Sequence, residues 1–143
     1  MVVLLVDDEE SYRLILRDIL VARGWDVVQA RNGLEAYQKA KEFKVDIVVS
    51  DIYMPVMDGL KLNSKLRADS EFADMPFLFI SGYDDSYTAG AVRDPKNEGF
   101  YRKGAPIPQL LKWIEYLSVP VQKRGRFRPD GAPASPPVGI GLS

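Results

Sequence analysis

The strongest constraint on the fold is a fivefold alternation between short apolar runs and segments with helical spacing. The apolar runs are VVLLV, WDVVQA, DIVVSD, FLFIS and GFYR, which begin at residues 2, 25, 46, 77 and 99. Continuous runs of this kind are typical of strands that are buried on both faces of a sheet. Parallel strands need crossover connections, which are usually helices. The pattern therefore predicts an α/β fold, a doubly wound, five-stranded parallel sheet.

The intervening segments differ in how clearly they predict helices. From Ser11 onward, apolar residues recur at helical spacing until Gly24, and residues 107–117 show the same periodicity. The segment between Asp84 and Glu98 is the exception, because it has little apolar periodicity and contains a proline. A proline inside a helix costs about 3 kcal/mol. We therefore predict an irregular or short fourth helix that ends before Pro95.

The composition changes after Ser118. The last 25 residues contain five prolines and four glycines, and they carry the basic stretch KRGRFR. Such a composition is typical of a disordered segment, so we predict one domain over residues 1–118 and a flexible basic tail or linker over 119–143. The tail has a net charge of +3, which leaves −4 for the rest of the chain, 15 basic minus 19 acidic residues. That weak charge argues against nucleic-acid binding by the domain.

Two missing residue types restrict the chemistry. The chain has no cysteine and no histidine, which excludes disulfides, thiolate zinc sites, thiol nucleophiles and a histidine general base. No apolar run approaches the roughly 20 residues that span a bilayer, and the first strand lacks the flanks of a signal peptide. We expect a cytoplasmic protein without membrane contact, whose chemistry depends on carboxylates, hydroxyls, amines or a hard cation.

Polar residues follow the predicted strands at their carboxyl ends. They are Asp7, Asp8, Asp51, Ser81 and Lys103. Ligands of parallel sheets bind at this edge, and three carboxylates placed together need a counter-charge. Mg²⁺ prefers oxygen ligands and is usually held by one or two carboxylates, while lysine is suited to phosphate. The set predicts a site for a phosphoryl group, with the central carboxylate as the nucleophile.

Four blocks of sequence resemble the receiver (CheY-like) domain of two-component response regulators. In chain order they are VLLVDDEE, VVSDIYMPVMDG, FISGY and FYRKG. Their order and spacing match from residue 2 to about residue 117. The resemblance implies a flavodoxin-like (βα)5 fold. It also implies a phosphoacceptor that takes a phosphoryl group from a histidine kinase and switches the binding of a partner.

The resemblance implies a role for each matched acid. Asp51 would be the phosphoacceptor. Asp8, Asp51 and the backbone carbonyl of Tyr53 would bind Mg²⁺ directly, and Asp7 would act through a water molecule. By contrast, we interpret Glu9 as an ordinary acid at the start of a helix, where the helix dipole favours it.

The resemblance also implies the residues of the switch. Lys103 would pair with the acceptor and then with the phosphoryl oxygens. Ser81 would move to donate a hydrogen bond to the phosphoryl group, and Phe100 would turn inward behind it. A new dianionic group of this kind creates charge-assisted hydrogen bonds that bias a bistable loop.

The implied partners are a sensor histidine kinase or phosphotransfer protein and an unknown downstream effector, with the oligomeric state unspecified. The protein would catalyse only its own phosphorylation and dephosphorylation. Two alternatives remain open at this point: an unphosphorylated pseudo-receiver that serves as an interaction module, and a phosphohydrolase with an aspartyl nucleophile. The second needs an acid two residues after the nucleophile, but Tyr53 stands there after Asp51.

The chain departs from the family pattern in two places. Gly104 follows Lys103 where receivers usually have a proline after a cis bond. Because a cis bond without proline costs about 3–4 kcal/mol, we predict a trans Lys103–Gly104 bond. Tyr53 and Tyr83 follow the acceptor and Ser81 by two residues each. Their rings should obstruct an attacking water, so we predict a long-lived phosphoryl-aspartate.

Overall fold

The structure, a computed structural model, describes residues 1–131 and contains one parallel sheet in that range. The sheet has five strands in the order β2-β1-β3-β4-β5, so the doubly wound architecture is confirmed. Adjacent strands are paired in parallel throughout. The strands are β1 (Val2–Val6), β2 (Asp26–Ala30), β3 (Ile47–Asp51), β4 (Phe77–Ser81) and β5 (Glu98–Arg102).

A helix follows each strand. The five α-helices of residues 1–131 are α1 (Glu10–Ala22), α2 (Gly33–Glu42), α3 (Gly59–Ala68), α4 (Ser86–Ala89) and α5 (Ile107–Ser118). The fourth helix has only four residues and ends at Ala89, which confirms the predicted short helix that ends before Pro95. Among the helices of the described residues, none is long and apolar enough to cross a membrane.

The strand β1 lies between two hydrophobic layers, one on each face of the sheet. Its successive side chains point to opposite faces of the sheet, as in any strand. Leu5 packs with residues of α1 and α5, and Leu4 packs with residues of α2 and α3. Both leucines are fully buried. The continuous apolar run is therefore explained by helices on both sides, and the strand can deliver polar residues only at its end.

The loop after β3 brings a helix against the backbone of Asp51. The Gly59 amide donates to the Ile52 carbonyl at 2.7 Å, and a Cβ added to Gly59 would lie 2.2 Å from the Asp51 carbonyl oxygen. Only glycine allows this approach. Asp58 caps α3 by accepting a hydrogen bond from the Lys61 amide at 2.8 Å. The Asp-Gly pair therefore shapes the loop that holds Asp51.

A buried carboxylate anchors the irregular segment between α4 and β5. Glu98 is 1% exposed and accepts hydrogen bonds from the backbone amides of Arg93 and Asp94 at 2.9 and 3.0 Å. It also accepts from Asn63 at 3.0 Å and from Arg67 at 2.9 Å. Burial opposes its ionisation, but these donors outweigh burial and lower its pKa. This network takes the place of a longer fourth helix in tying the segment to α3.

The first part of the predicted tail contacts α5. Arg124 donates to the carbonyls of Val119 and Leu117 at 2.9 and 3.2 Å, and its guanidinium lies 4.8 Å from the centre of the Tyr116 ring. These contacts place Arg124 against the end of α5, whereas the flexibility of residues 119–143 stays a prediction. The rest of the predicted tail, residues 132–143, lies outside the described residues.

The loop after β5 follows the prediction made from its missing proline. The Lys103–Gly104 bond is trans. Gly104 has φ +94°, a left-handed conformation that glycine adopts without steric cost.

The loop before α3 contains a residue that should be replaceable with a gain in stability. Val56 has φ +70° and is 75% exposed, and a β-branched residue is strained in this region. Asparagine tolerates it. We expect Val56→Asn to raise the free energy of unfolding by about 1 kcal/mol in denaturant titrations. Val119→Asn is the control, because Val119 is exposed with an ordinary φ of −90°; an equal gain there would contradict the explanation.

Candidate functional site

Three strand ends bring charged side chains together at the carboxyl edge of the sheet. Asp7 follows β1, Asp51 ends β3, and Lys103 follows β5. The Lys103 ammonium nitrogen lies 2.9 Å from Asp7 Oδ2 and 3.3 Å from Asp51 Oδ2. Asp7 is fully buried and Asp51 is 7% exposed. The structure therefore places two desolvated carboxylates against a single cation.

Burial and crowding act on the ionisation of these groups. Burial is the main cause that raises the pKa of Asp51 to about 6, and the charge of Asp7 adds to it. Burial likewise raises the pKa of Asp7. Burial opposes the charge on Lys103, but the two carboxylates outweigh it and raise its pKa. The single ammonium group of Lys103 therefore does not fully compensate for the charges of the two buried carboxylates.

The acids form a donor set that fits a hard cation. Oxygens of Asp7, Asp8 and Asp51 lie within 4.8 Å of one another, with Asp8 exposed to solvent. Asp7 Oδ2 is buried and receives no hydrogen bond of acceptable geometry, although it is ion-paired with Lys103. A buried oxygen without a hydrogen-bond donor is explained when an ion, or a water molecule on that ion, binds it. Carboxylates are the ligands that Mg²⁺ and Ca²⁺ prefer.

An open cleft of ≈ 700 Å³ gives access to the charged cluster. Its lining includes most of the site residues that the sequence predicts. The lining residues are Asp8, Glu9, Asp51, Tyr53, Gly82, Tyr83 and Lys103.

Ser81 and Phe100 lie at the edges of this arrangement. Ser81 ends β4, is fully buried, and its hydroxyl accepts a hydrogen bond from the Tyr83 amide at 3.1 Å. Phe100 is half-buried and lines a separate cavity of ≈ 180 Å³ together with Thr88 and Val92. The structure therefore brings the acids and the lysine together, but it does not place Phe100 in the cleft.

Sequence reasoning missed the partners of the tyrosines beside the cleft. The Tyr53 hydroxyl donates to Asp85 at 2.5 Å, and the Tyr87 hydroxyl donates to Asp58 at 2.5 Å. The Tyr53 ring lies 5.1 Å from the Tyr83 ring and 5.6 Å from the Tyr87 ring, between centroids. Asp85 also caps α4. The aromatic cluster therefore joins the loop after Asp51 to the fourth helix.

The first turn of α1 supplies two further residues that the sequence did not assign to the site. Arg13 is 7% exposed; it donates to the Asp7 carbonyl at 2.8 Å and to Gln29 at 3.0 Å. The ring of Tyr12 lies next to Lys103. The available signal was position, because α1 starts two residues after Asp8 and its first turn must therefore lie near the acids.

Comparison with known proteins identifies the family. A family model described as the response regulator receiver domain matches residues 3–115. The chain belongs to this family. Its members are signalling proteins of two-component systems rather than classical enzymes, which agrees with the function expected from the sequence.

Individual relatives have similar lengths. This receiver domain is 27% identical over 113 residues to the polar-differentiation response regulator DivK of Brucella anthropi, covering 79% of this chain and 92% of that protein. It is 30% identical to the receiver domain of the hybrid histidine kinase CckA, with a TM-score of 0.68 and coverage of 83% and 100%. It is 25% identical to TrrA of Thermotoga maritima in complex with Mg²⁺ and BeF, with a TM-score of 0.69 and coverage of 81% and 97%.

Removing one carboxylate from the cluster should stabilise the metal-free receiver domain. The pKa of Asp51 is raised from 3.8 to about 6, so the folded state holds this proton more tightly than the unfolded state does. Stability from this group is therefore present at low pH and is lost as the pH rises through that range. At pH 7, without divalent cations, Asp51→Asn should raise the free energy of unfolding by about 1–3 kcal/mol.

Chemical denaturation of both proteins at pH 4 and at pH 7 measures this difference. The gain from Asp51→Asn should be small at pH 4 and develop as the pH rises. Asp46→Asn is the control, since Asp46 is an exposed acid at the opposite end of β3. A gain from Asp51→Asn that did not change with pH would refute the electrostatic explanation.

Proposed function

We propose that this receiver domain takes a phosphoryl group onto Asp51 from a sensor histidine kinase or phosphotransfer protein, with Mg²⁺, and thereby switches the binding of a downstream effector. The observation that carries the proposal is the central position of Asp51, between the Lys103 ammonium and two further acids. Its carboxylate is buried yet reaches the open cleft, so a donor can approach it from outside.

The two oxygens of Asp51 have different surroundings. Oδ1 accepts a hydrogen bond from the Ile52 amide at 2.8 Å, which orients the carboxylate, and Oδ2 faces Lys103. In the proposed transfer a carboxylate oxygen attacks the phosphorus of the donor. A P–O bond to Asp51 forms, the P–N bond to the donor imidazole breaks, and its electron pair remains on the imidazole nitrogen. Lys103 stabilises the charge on the phosphoryl oxygens.

The proposed metal ligands are Asp8, Asp51 and the backbone carbonyl of Tyr53, with Asp7 acting through a water molecule. Support comes from the clustered carboxylate oxygens and from the related TrrA, whose structure contains Mg²⁺ and BeF. When bound, Mg²⁺ supplies the positive charge that the site lacks and neutralises phosphoryl oxygens. Lys103 alone cannot offset three carboxylates and a phosphoryl dianion.

The proposed switch uses Ser81 and Phe100. The Ser81 hydroxyl is at the end of β4, and among residues 1–131 it is bonded only to the backbone of its own loop, through the Tyr83 amide. A hydroxyl in this setting can exchange that contact for a phosphoryl oxygen when its loop moves. Phe100 borders a cavity beside α4, which leaves room for a change of side-chain position that the effector could detect.

Incubation with acetyl phosphate and Mg²⁺, followed by intact mass measurement, tests the proposal. The wild type should gain the mass of one phosphoryl group, because acetyl phosphate needs no kinase to reach the cleft. Asp51→Asn should gain none, whereas the control Asp46→Asn should react as the wild type does. Equal labelling of wild type and Asp51→Asn would reject Asp51 as the acceptor. No labelling of either protein would favour the pseudo-receiver reading.

The aromatic cluster should slow hydrolysis of the phosphoryl-aspartate. Tyr53 and Tyr83 are in edge-to-face contact and line the cleft, and they would obstruct a water that approaches the phosphorus. We expect Tyr53→Asn and Tyr83→Ala each to accelerate phosphate release several-fold, measured as the decay of the phosphorylated mass. Tyr53→Phe keeps the ring and removes its hydrogen bond to Asp85, so it distinguishes the effect of the ring from that of the hydrogen bond. Decay rates unchanged by both truncations would count against this role.

A further inference from the structure

Lys103 is contacted on a third side by an aromatic ring. Its ammonium nitrogen lies 4.5 Å from the centre of the Tyr12 ring, in addition to its contacts with Asp7 and Asp51. The lysine side chain is 18% exposed. A cation at this distance over an aromatic face is attracted to the ring, and more strongly where water is excluded.

The start of α1 explains why Tyr12 reaches this position. The helix begins at Glu10, directly after the acids that follow β1. Side chains in a helix tilt toward its N-terminus, so a residue in the first turn leans back over the end of the preceding strand. Tyr12 is half-buried and packs against the hydrophobic layer between the sheet and the helices α1 and α5. Its ring therefore has little freedom to leave Lys103.

The ring contact differs from the two carboxylate contacts in its response to other ligands. A carboxylate that binds a divalent cation, or that becomes an acyl phosphate, has less negative charge to offer an ammonium group. The electron distribution of the Tyr12 ring does not change when the acids bind a cation or a phosphoryl group. The attraction of the ring for Lys103 therefore remains when the attraction of Asp7 and Asp51 declines.

We propose that Tyr12 is a positioning residue that holds the Lys103 ammonium in the cleft while the acids are engaged by Mg²⁺ and the phosphoryl group. This inference depends on the proposed function of Lys103 toward phosphoryl oxygens. Tyr12 touches neither the phosphoryl group nor the metal in this account. It acts by limiting where the lysine can go.

The experiment compares Tyr12→Leu, which removes the ring, with Tyr12→Phe, which keeps it. Tyr12→Met is a second variant without the ring, in case Tyr12→Leu does not fold. Tyr116→Leu is the matched control, because the Tyr116 ring, on α5 and away from the cleft, makes a similar contact with Arg124. Thermal unfolding verifies that each variant is folded.

The first measurement is the NMR shift of the Lys103 CεH₂ protons without metal. The ring current should displace them upfield in wild type and Tyr12→Phe, and this displacement should be lost in Tyr12→Leu. The second is the affinity for beryllofluoride at saturating Mg²⁺, from amide NMR titrations. We expect the beryllofluoride affinity of Tyr12→Leu to be about three- to tenfold lower than that of the wild type. Tyr12→Phe and Tyr116→Leu should both bind beryllofluoride with the wild-type affinity.

The outcomes separate this inference from the proposed function. An unchanged beryllofluoride affinity in folded Tyr12→Leu, with the wild type binding normally, would overturn the role of Tyr12 and leave Asp51 as the acceptor. An equal loss in Tyr12→Phe would also overturn it, since the ring would not be the cause. A wild type that binds no beryllofluoride and accepts no phosphoryl group would instead reject the proposed function, and the role of Tyr12 with it.

Discussion

The crowding of carboxylates around one ammonium group is the constraint on which the rest of this receiver domain depends. A parallel sheet places the carboxyl ends of its strands at one edge, where acids directly follow β1 and an acid ends β3. Helices cover both faces, so Asp7 and Asp51 are desolvated. The energetic cost of ionising them in this place is what would make the proposed site receptive to a cation and, with it, to a phosphoryl group.

The surroundings of the cluster hold it in this unfavourable arrangement. Gly59 lets α3 approach the backbone of Asp51, and Arg13 binds the carbonyl of Asp7. The Glu98 network fixes the segment before β5, the strand that leads to Lys103. These contacts stabilise the fold and offset the free-energy cost of ionising the buried carboxylates at the edge of the sheet. A site that is strained in this sense can respond to a single added group with a change of structure.

Much of the fold could be predicted from local sequence signals. The five strands follow from apolar runs, the short α4 from the weak apolar periodicity and the proline of its segment, and the trans bond after Lys103 from Gly104. The convergence of Asp7 and Asp51 also followed, because parallel topology determines where strand ends meet. Contacts between side chains distant in sequence could not be predicted, since they depend on packing angles. The bond between Tyr53 and Asp85, 32 residues apart, is such a contact, and so is that of the Arg128 guanidinium with the Trp113 ring on α5.

A crystal structure of this protein with Mg²⁺ and beryllofluoride would test the central claim most directly. The account predicts Mg²⁺ ligated by Asp8, Asp51 and the Tyr53 carbonyl, with beryllofluoride on Asp51 and the Lys103 ammonium in contact with a fluorine. Density for the ion at another site, or an Asp51 carboxylate left paired with Lys103 alone under saturating conditions, would contradict it.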